Sequence, residues 1–300
     1  MTSRLARRPF AVAVPFVAAA VLLGACAPAD EEEPQAGTSG SPTSTATESP
    51  DDCARENLHT YEEGALTIGT DQPAYEPWFV DDDPSNGQGF ESAVAYAVAE
   101  ELGFTADEVT WTPVKFEAAI APGPKNFDFD INQFSITEER KESVDFSSPY
   151  YDVTQAVISK KGSRADGATS LAELSDLKIG AQVGTTSFDA IQSSIQPSAD
   201  PAVFNSNDDA KVALDNDQVD AIVVDLPTAF FMTAVEIDKG IIVGQLPPGD
   251  APEQFGLVLD KGSPLTLCVS AAVESLRSDG TLDRLEQEWL ADVAGAPVLE

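Results

Sequence analysis

Apolar and polar positions change period repeatedly along the chain, and each change marks an element. Leu66-Thr67-Ile68-Gly69-Thr70 is a short β-rich run closed by Asp71 and a proline-containing turn, which predicts a first strand. From 90 to 102 apolar residues return at helical spacing, Ala93, Ala97 and Leu102 among them. Gly103 stands just beyond, and the stretch predicts a helix. Strands are predicted at 109–114 and 127–134, with a short helix at 116–120 between them and another opening at Thr137. The continuous run at 153–159 predicts a strand, and Ser170-Leu171-Ala172-Glu173 is a capping box. Strands at 178–182, 221–224 and 255–259 follow, with helices from Thr185, at 207–216, at 264–278 and at 281–290. Alternation of strand and helix throughout predicts an α/β architecture with parallel strands.

Three cysteines refine the organisation. Arg4, Arg7 and Arg8 precede an apolar run at 10–23, shorter than a comfortable membrane span, which ends in Leu23-Gly24-Ala25-Cys26. This segment resembles a bacterial lipoprotein signal, which implies cleavage after Ala25 and acylation of Cys26; a cleaved secretory signal and an uncleaved anchor are the alternatives. Residues 27–52 hold no Lys, Arg or aromatic side chain and read as a disordered tether with a mean reach of about 25–30 Å. Cys53 and Cys268 remain, either bridged or as two unrelated buried thiols. A bridge would return the final segment to the first lobe. The expected organisation is therefore a signal at 1–25, a lipid-anchored linker at 26–52, a first lobe at 53–152 and 248–300, and a second at 153–247. Two crossovers, near 151–155 and 245–254, would form a hinge with a ligand cleft between the lobes.

Charge removes whole classes of function. The chain of 300 residues carries 51 Asp+Glu against 17 Lys+Arg, a net charge of −34, which becomes −37 once the three arginines before Cys26 are removed. Such a surface cannot neutralise a phosphate backbone, so nucleic acid is not an expected partner. A single histidine, His59, excludes Ser-His-Asp hydrolysis and His-rich zinc sites, and no metal or cofactor is expected. No phosphate-binding loop of the Gly-x-x-x-x-Gly-Lys-Ser/Thr type is present.

The candidate chemistry lies in Asn132-Gln133-Phe134-Ser135-Ile136-Thr137-Glu138-Glu139-Arg140 and the following Val144-Asp145-Phe146-Ser147-Ser148-Pro149-Tyr150. Joined to Gly69-Thr70-Asp71, Tyr75-Glu76-Pro77-Trp78, Gly89-Phe90-Glu91, Gly184-Thr185-Thr186 and Val224-Asp225-Leu226-Pro227, this resembles the extracellular solute-binding proteins for polar amino acids, family 3, over roughly residues 53–295. The resemblance implies a two-lobe, periplasmic-binding-protein-like (type II) fold and the role of substrate receptor for an ABC importer. The partners it implies are a free amino acid, the permease subunits and, through the lipid, the outer face of the cell membrane. The body is expected to be a monomer. It also implies that Ser135, Arg140, Thr186 and Asp225 contact the ligand backbone while Tyr75 and Phe116 pack on its aliphatic part. Asp71, Gln133, Gln182 and Thr185 complete the candidate set.

Physical reasoning supports the same residues and leaves rivals beside them. A guanidinium fork such as that of Arg140 grips a carboxylate with two charge-assisted bonds, and an aspartate at a strand end suits an ammonium. On spacing alone, however, Arg140 could pair on the surface with Glu138 or Glu142. Thr185 or Thr186 could simply cap a helix, Asp225 could cap the one after it, and Tyr75 and Phe116 could be core. Asp71 could face a ligand side chain or merely close a turn. The acidic pair usual after Gly-Phe is reduced to Glu91, and Asn132-Gln133 replaces residues that are small in many members, which leaves the identity of the ligand side chain open. The expectation is a binding protein and not an enzyme; the rival classes are an enzyme resembling cyclohexadienyl dehydratase on the same fold and a lipid-anchored amino-acid sensor.

Overall fold

The computed structural model describes residues 53–249, 251–290 and 295–300. The signal-like segment, the expected acylation at Cys26 and the tether fall outside the described residues. The strands are β1 (Leu66–Thr70), β2 (Val109–Pro113), β3 (Phe129–Asp130), β4 (Val144–Phe146), β5 (Tyr151–Val153), β6 (Gln155–Lys160), β7 (Ile179–Gln182), β8 (Ala202–Phe204), β9 (Ala221–Asp225), β10 (Gly240–Gln245), β11 (Glu253–Phe255) and β12 (Val258–Asp260). The helices are α1 (Phe90–Glu101), α2 (Phe116–Ile120), α3 (Glu138–Lys141), α4 (Leu171–Leu174), α5 (Thr186–Ala190), α6 (Asn207–Asp215), α7 (Leu226–Phe231), α8 (Thr266–Ser278) and α9 (Thr281–Trp289).

Two five-stranded sheets result, ordered β2-β1-β3-β12-β4 and β10-β6-β9-β7-β8. Both are mixed, where the alternation of elements predicted parallel strands. β12 runs antiparallel to β3 and β4, and β6 antiparallel to β9 and β10. The physical reason is the direction of entry. β6 and β12 each begin at the connection between the sheets and run away from it, whereas β1, β3, β7 and β9 run towards it and end there. Between the sheets lies a two-stranded antiparallel ribbon of β5 and β11, in which Tyr151 faces Phe255 and Val153 faces Glu253.

Each sheet buries both faces. Leu66, Ile68, Phe129 and Ile131 pack with α1, α8 and α9 in one cluster, and the opposite face carries Val114, Phe116, Phe127, Phe134 and Val258. Trp78 sits at the centre of the first cluster with no exposed surface, edge-on to Phe90, Tyr151 and Phe255. A side chain at Gly89 would overlap the Trp78 carbonyl, and Gly89 holds φ at +95°, so only glycine lets α1 start so close. Burying an aromatic or aliphatic side chain of this size contributes about 1.5–3 kcal/mol. Cys53 and Cys268 form a disulfide, which ties the start of the body to α8. Closing so long a loop contributes about 5 kcal/mol at most.

The final residues depart from the expectation that all of 248–300 packs on the first sheet. Leu299 is buried in the core of the second, and Val298 forms a parallel bridge to Gln245 at the end of β10. Gln245 holds this tail by three bonds. Its N–H donates to Pro297 O (2.7 Å), its Nε2 to Ala296 O (2.7 Å), and its carbonyl accepts from the Leu299 N–H (2.9 Å). Its Oε1 accepts from the Thr154 hydroxyl (2.9 Å), so one glutamine joins the tail to both crossovers. The apolar Leu299 finds no site on α9, whose inner residues Leu282 and Leu285 are already covered by the first core.

Candidate functional site

The strands that run towards the ribbon deliver polar residues to the gap between the two sheets. Thr137 caps α3, its hydroxyl accepting from the Arg140 N–H at 3.1 Å, and this turn sends Arg140 inward. Arg140 is only 9% exposed, and it does not pair with Glu138 or Glu142; Lys141 takes Glu138 instead. Its Nη1 donates to Ser135 O (2.7 Å) and its Nη2 to Gly184 O across the gap (2.9 Å). Its guanidinium carbon lies 5.4 Å from the centre of the Phe116 ring, which stacks on Phe134. Among the described residues no carboxylate lies within salt-bridge distance of it. Burial weakens its hold on its proton, while Glu253, Asp189, Asp225 and Glu139 oppose that loss. A cavity of about 330 Å³ opens beside it, lined by Thr137, Glu139, Gly184, Thr186 and Asp189.

On the opposite side Thr185 caps α5. Its hydroxyl accepts from the Phe188 N–H and donates to Gln182 O, so both its functions serve the turn. Thr186 is free of that duty, and its hydroxyl meets Ser135 Oγ at 3.1 Å. Gln182 ends β7 at the edge of the gap, half-buried. Asp225 is the residue before α7 but its side chain makes no cap. Its Oδ1 accepts from Gln155 Nε2 at 2.7 Å. Burial, then the charge of Glu253, pushes the Asp225 carboxyl up to about 8, with Glu91 adding to the rise and Gln155 and Arg140 opposing it.

The remaining candidates divide. Tyr75 reaches across the gap and its hydroxyl donates to Asp208 Oδ2 (3.1 Å). Phe116 is buried, with Arg140 over its face. Asp71 accepts from the Gln72 N–H (2.8 Å) and, at 3.4 Å, from the Phe116 N–H, so it closes a turn and holds the start of α2. Gln133 turns away from Arg140 towards Glu91, giving it both its N–H (2.7 Å) and its side-chain amide. It holds φ at +49°, the left-handed region that non-glycine residues rarely adopt. Glu91, the acid that remains after Gly89-Phe90, thus pairs with Gln133, which stands at one of the positions that mark the sequence as a departure.

Four further residues belong to the site and were not among the sequence candidates. Trp78 donates through Nε1 to Thr228 Oγ1 across the gap at 2.9 Å. Gln155 accepts from the Ser187 hydroxyl (2.6 Å), which turns its amide hydrogens towards Asp225 and Glu253. Glu253, from the ribbon, accepts from the Ser135 hydroxyl at 2.6 Å. Trp78 carried a legible signal, since it stands in the Tyr75-Glu76-Pro77-Trp78 motif. Gln155, Thr228 and Glu253 lie in apolar or loop stretches and carried none. Four hydrogen bonds thus bridge the gap between the sheets: Trp78–Thr228, Tyr75–Asp208, Ser135–Thr186 and Arg140–Gly184.

Comparison with known proteins follows the same division of the chain. The family described as bacterial extracellular solute-binding proteins, family 3, matches residues 66–292. The L-cystine-binding protein TcyJ of Escherichia coli (strain K12) is 29% identical over 235 residues, covering 77% of this chain and 85% of that protein. An ancestral arginine-binding protein bound to arginine superposes with a TM-score of 0.64 at 33% identity, over 75% of this chain and 98% of that one. The ancestral amino acid-binding protein AncCDT-1, a precursor of cyclohexadienyl dehydratase, gives 0.63 at 31% identity, over 75% and 95%.

Proposed function

The chain belongs to family 3 of the bacterial extracellular solute-binding proteins, and from that premise we propose that it captures a free amino acid between its lobes and presents it to the permease of an ABC importer. It is a binding protein, as the relatives named above are by description, and not an enzyme. One observation carries the reading: a buried guanidinium, Arg140, held by two carbonyls and paired with no carboxylate of the described residues. A fixed buried cation without a counter-ion is costly, and the carboxylate of an amino acid supplies one with two parallel bonds. Thr186 adds a hydroxyl to that end, while Ser135 and Asp225 face the ammonium. Phe116 and Tyr75 flank the ligand's aliphatic part, with Gln182, Gln133 and Asp71 at the margins.

Arg140 and Ser135 stand on the first lobe, Thr186 and Asp225 on the second. A ligand that touches both stabilises the closed arrangement over the open one, which is how binding drives closure. The lobe assignment, the acylation of Cys26 and the tether at 26–52 complete the proposal. They would hold the protein at the outer face of the cell membrane, where the acyl chains must do the anchoring because a net charge of −37 opposes an anionic bilayer. Titration calorimetry with the amino acids bound by relatives tests the site. Arg140→Ala and Asp225→Ala are each expected to weaken binding by well over tenfold, since a lost charge-assisted contact is worth about 1.5–3 kcal/mol. Wild-type affinity in both variants would overturn it.

A further inference from the structure

Glu253 is a carboxylate in an unusual position. It belongs to β11, the ribbon between the lobes, yet its side chain enters the cleft and touches both lobes. On one side it accepts from the Ser135 hydroxyl (2.6 Å); on the other both its oxygens lie within 3.2 Å of Gln155 Nε2. The same nitrogen donates to Asp225 Oδ1 at 2.7 Å. Two carboxylates therefore converge on a single amide group. Gln155 cannot turn to offer them anything else, because its Oε1 is fixed by the Ser187 hydroxyl at 2.6 Å. The amide hydrogens of Gln155 serve both carboxylates but carry no full charge, so the place where the two face each other favours a cation.

We propose that Glu253 is a second carboxylate for the ligand's ammonium, so that the ammonium sits between Asp225 and Glu253 and displaces one proton from that site to solvent. The inference rests on the amino-acid reading given above and deepens it: the ligand class is narrowed to amino acids with a free primary ammonium. An ammonium has three hydrogens, and Asp225, Glu253 and the Ser135 hydroxyl provide three acceptors. The exchange conserves charge. One proton leaves for solvent as one ammonium arrives, while the ligand carboxylate is matched by Arg140. The groups around Asp225 agree with a proton held there near neutrality: Glu253 on β11 and Glu91 on α1 raise its proton affinity, Gln155 on β6 and Arg140 on α3 lower it, and the buried Tyr150 and Tyr151 face the same charge.

The test uses the full-length protein. Thermal shifts against the twenty amino acids and L-cystine select the strongest ligand, and calorimetry at pH 7 in two buffers of different ionisation enthalpy counts protons. Wild type is expected to release about one proton on binding, and the matching 2-hydroxy acid, with a hydroxyl in place of the ammonium, to give no shift. Glu253→Gln is expected to weaken binding about tenfold or more and to abolish the proton release. Affinity within twofold of wild type and an unchanged proton count in Glu253→Gln would reduce Glu253 to a support for Ser135 and overturn the inference while leaving the amino-acid reading intact. So would tight binding of the 2-hydroxy acid, which needs no variant to be folded. If no amino acid shifts the wild type, the amino-acid reading itself falls, and the inference with it.

Discussion

Glu91 is completely buried at the first turn of α1, where its carboxylate accepts from the Gln133 N–H, the Gln133 amide and the Tyr150 hydroxyl. Burial outweighs these bonds and pushes the carboxyl up to about 7. A carboxyl that binds its proton more tightly folded than unfolded contributes stability that is fully present below the unfolded value, near 4.5, and is lost as pH rises through about 7. Asp225, at about 8, and the buried Asp130, also raised, push in the same direction. Thermal unfolding is therefore expected at lower temperature at pH 8 than at pH 5. Glu91→Gln, neutral throughout, should recover up to about 3 kcal/mol at pH 8 and less than about 1 kcal/mol at pH 5. Equal unfolding temperatures for the two proteins at pH 8 would refute this. At this scale the sequence disclosed the residues with a distinctive motif around them. Arg140, Thr186 and Asp225 stand in motifs and do reach the gap. Glu253 stands in Pro252-Glu253-Gln254-Phe255, where nothing in the local pattern tells a cleft-facing glutamate from the many on the surface.

Among the elements, α3 matters more than its four residues suggest, because its cap sets the direction of Arg140. Thr137→Ala removes the acceptor for the Arg140 N–H. The expected cost is about 1 kcal/mol of stability, together with a severalfold loss of ligand affinity, read by thermal unfolding and calorimetry on one preparation. A variant destabilised but of full affinity would show that Arg140 is positioned by its two carbonyl bonds alone. Periodicity located β1, α1, α2 and α6 to within a residue or so. It failed where tertiary contact decides. The stretch 127–134 alternates as a strand, but only Phe129–Asp130 joins the ladder, since Gln133 turns into the left-handed region to meet Glu91. β10 went unread because Gly240 and Gly244 punctuate it as a loop would be punctuated; pairing with β6 makes it a strand. The stretch 255–259 divides into β11 and β12 because Gly256 packs so closely on Ile136 that the chain changes sheet there.

For the molecule as a whole, the unforeseen feature is the tail. Its apolar content is only Ala296, Pro297, Val298 and Leu299, too little for the sequence to reveal which sheet receives it. Leu299 fills a place over Gly244 that any side chain at that glycine would occupy. Replacing it by alanine is expected to cost about 2–5 kcal/mol, and deleting residues 295–300 more, with the loss falling on the second sheet. Hydrogen exchange in β10 and β6 would accelerate ahead of that in β1 and β2; uniform acceleration would show that the tail steadies both lobes alike. The same arrangement orders events during synthesis. The first sheet lacks β12 and α8, including Cys268, until the chain has been made beyond residue 278, and the second lacks a covering side chain until Leu299 has been made. Each half is thus completed by residues far along the chain from its own first strand, and neither reaches its full packing well ahead of the other.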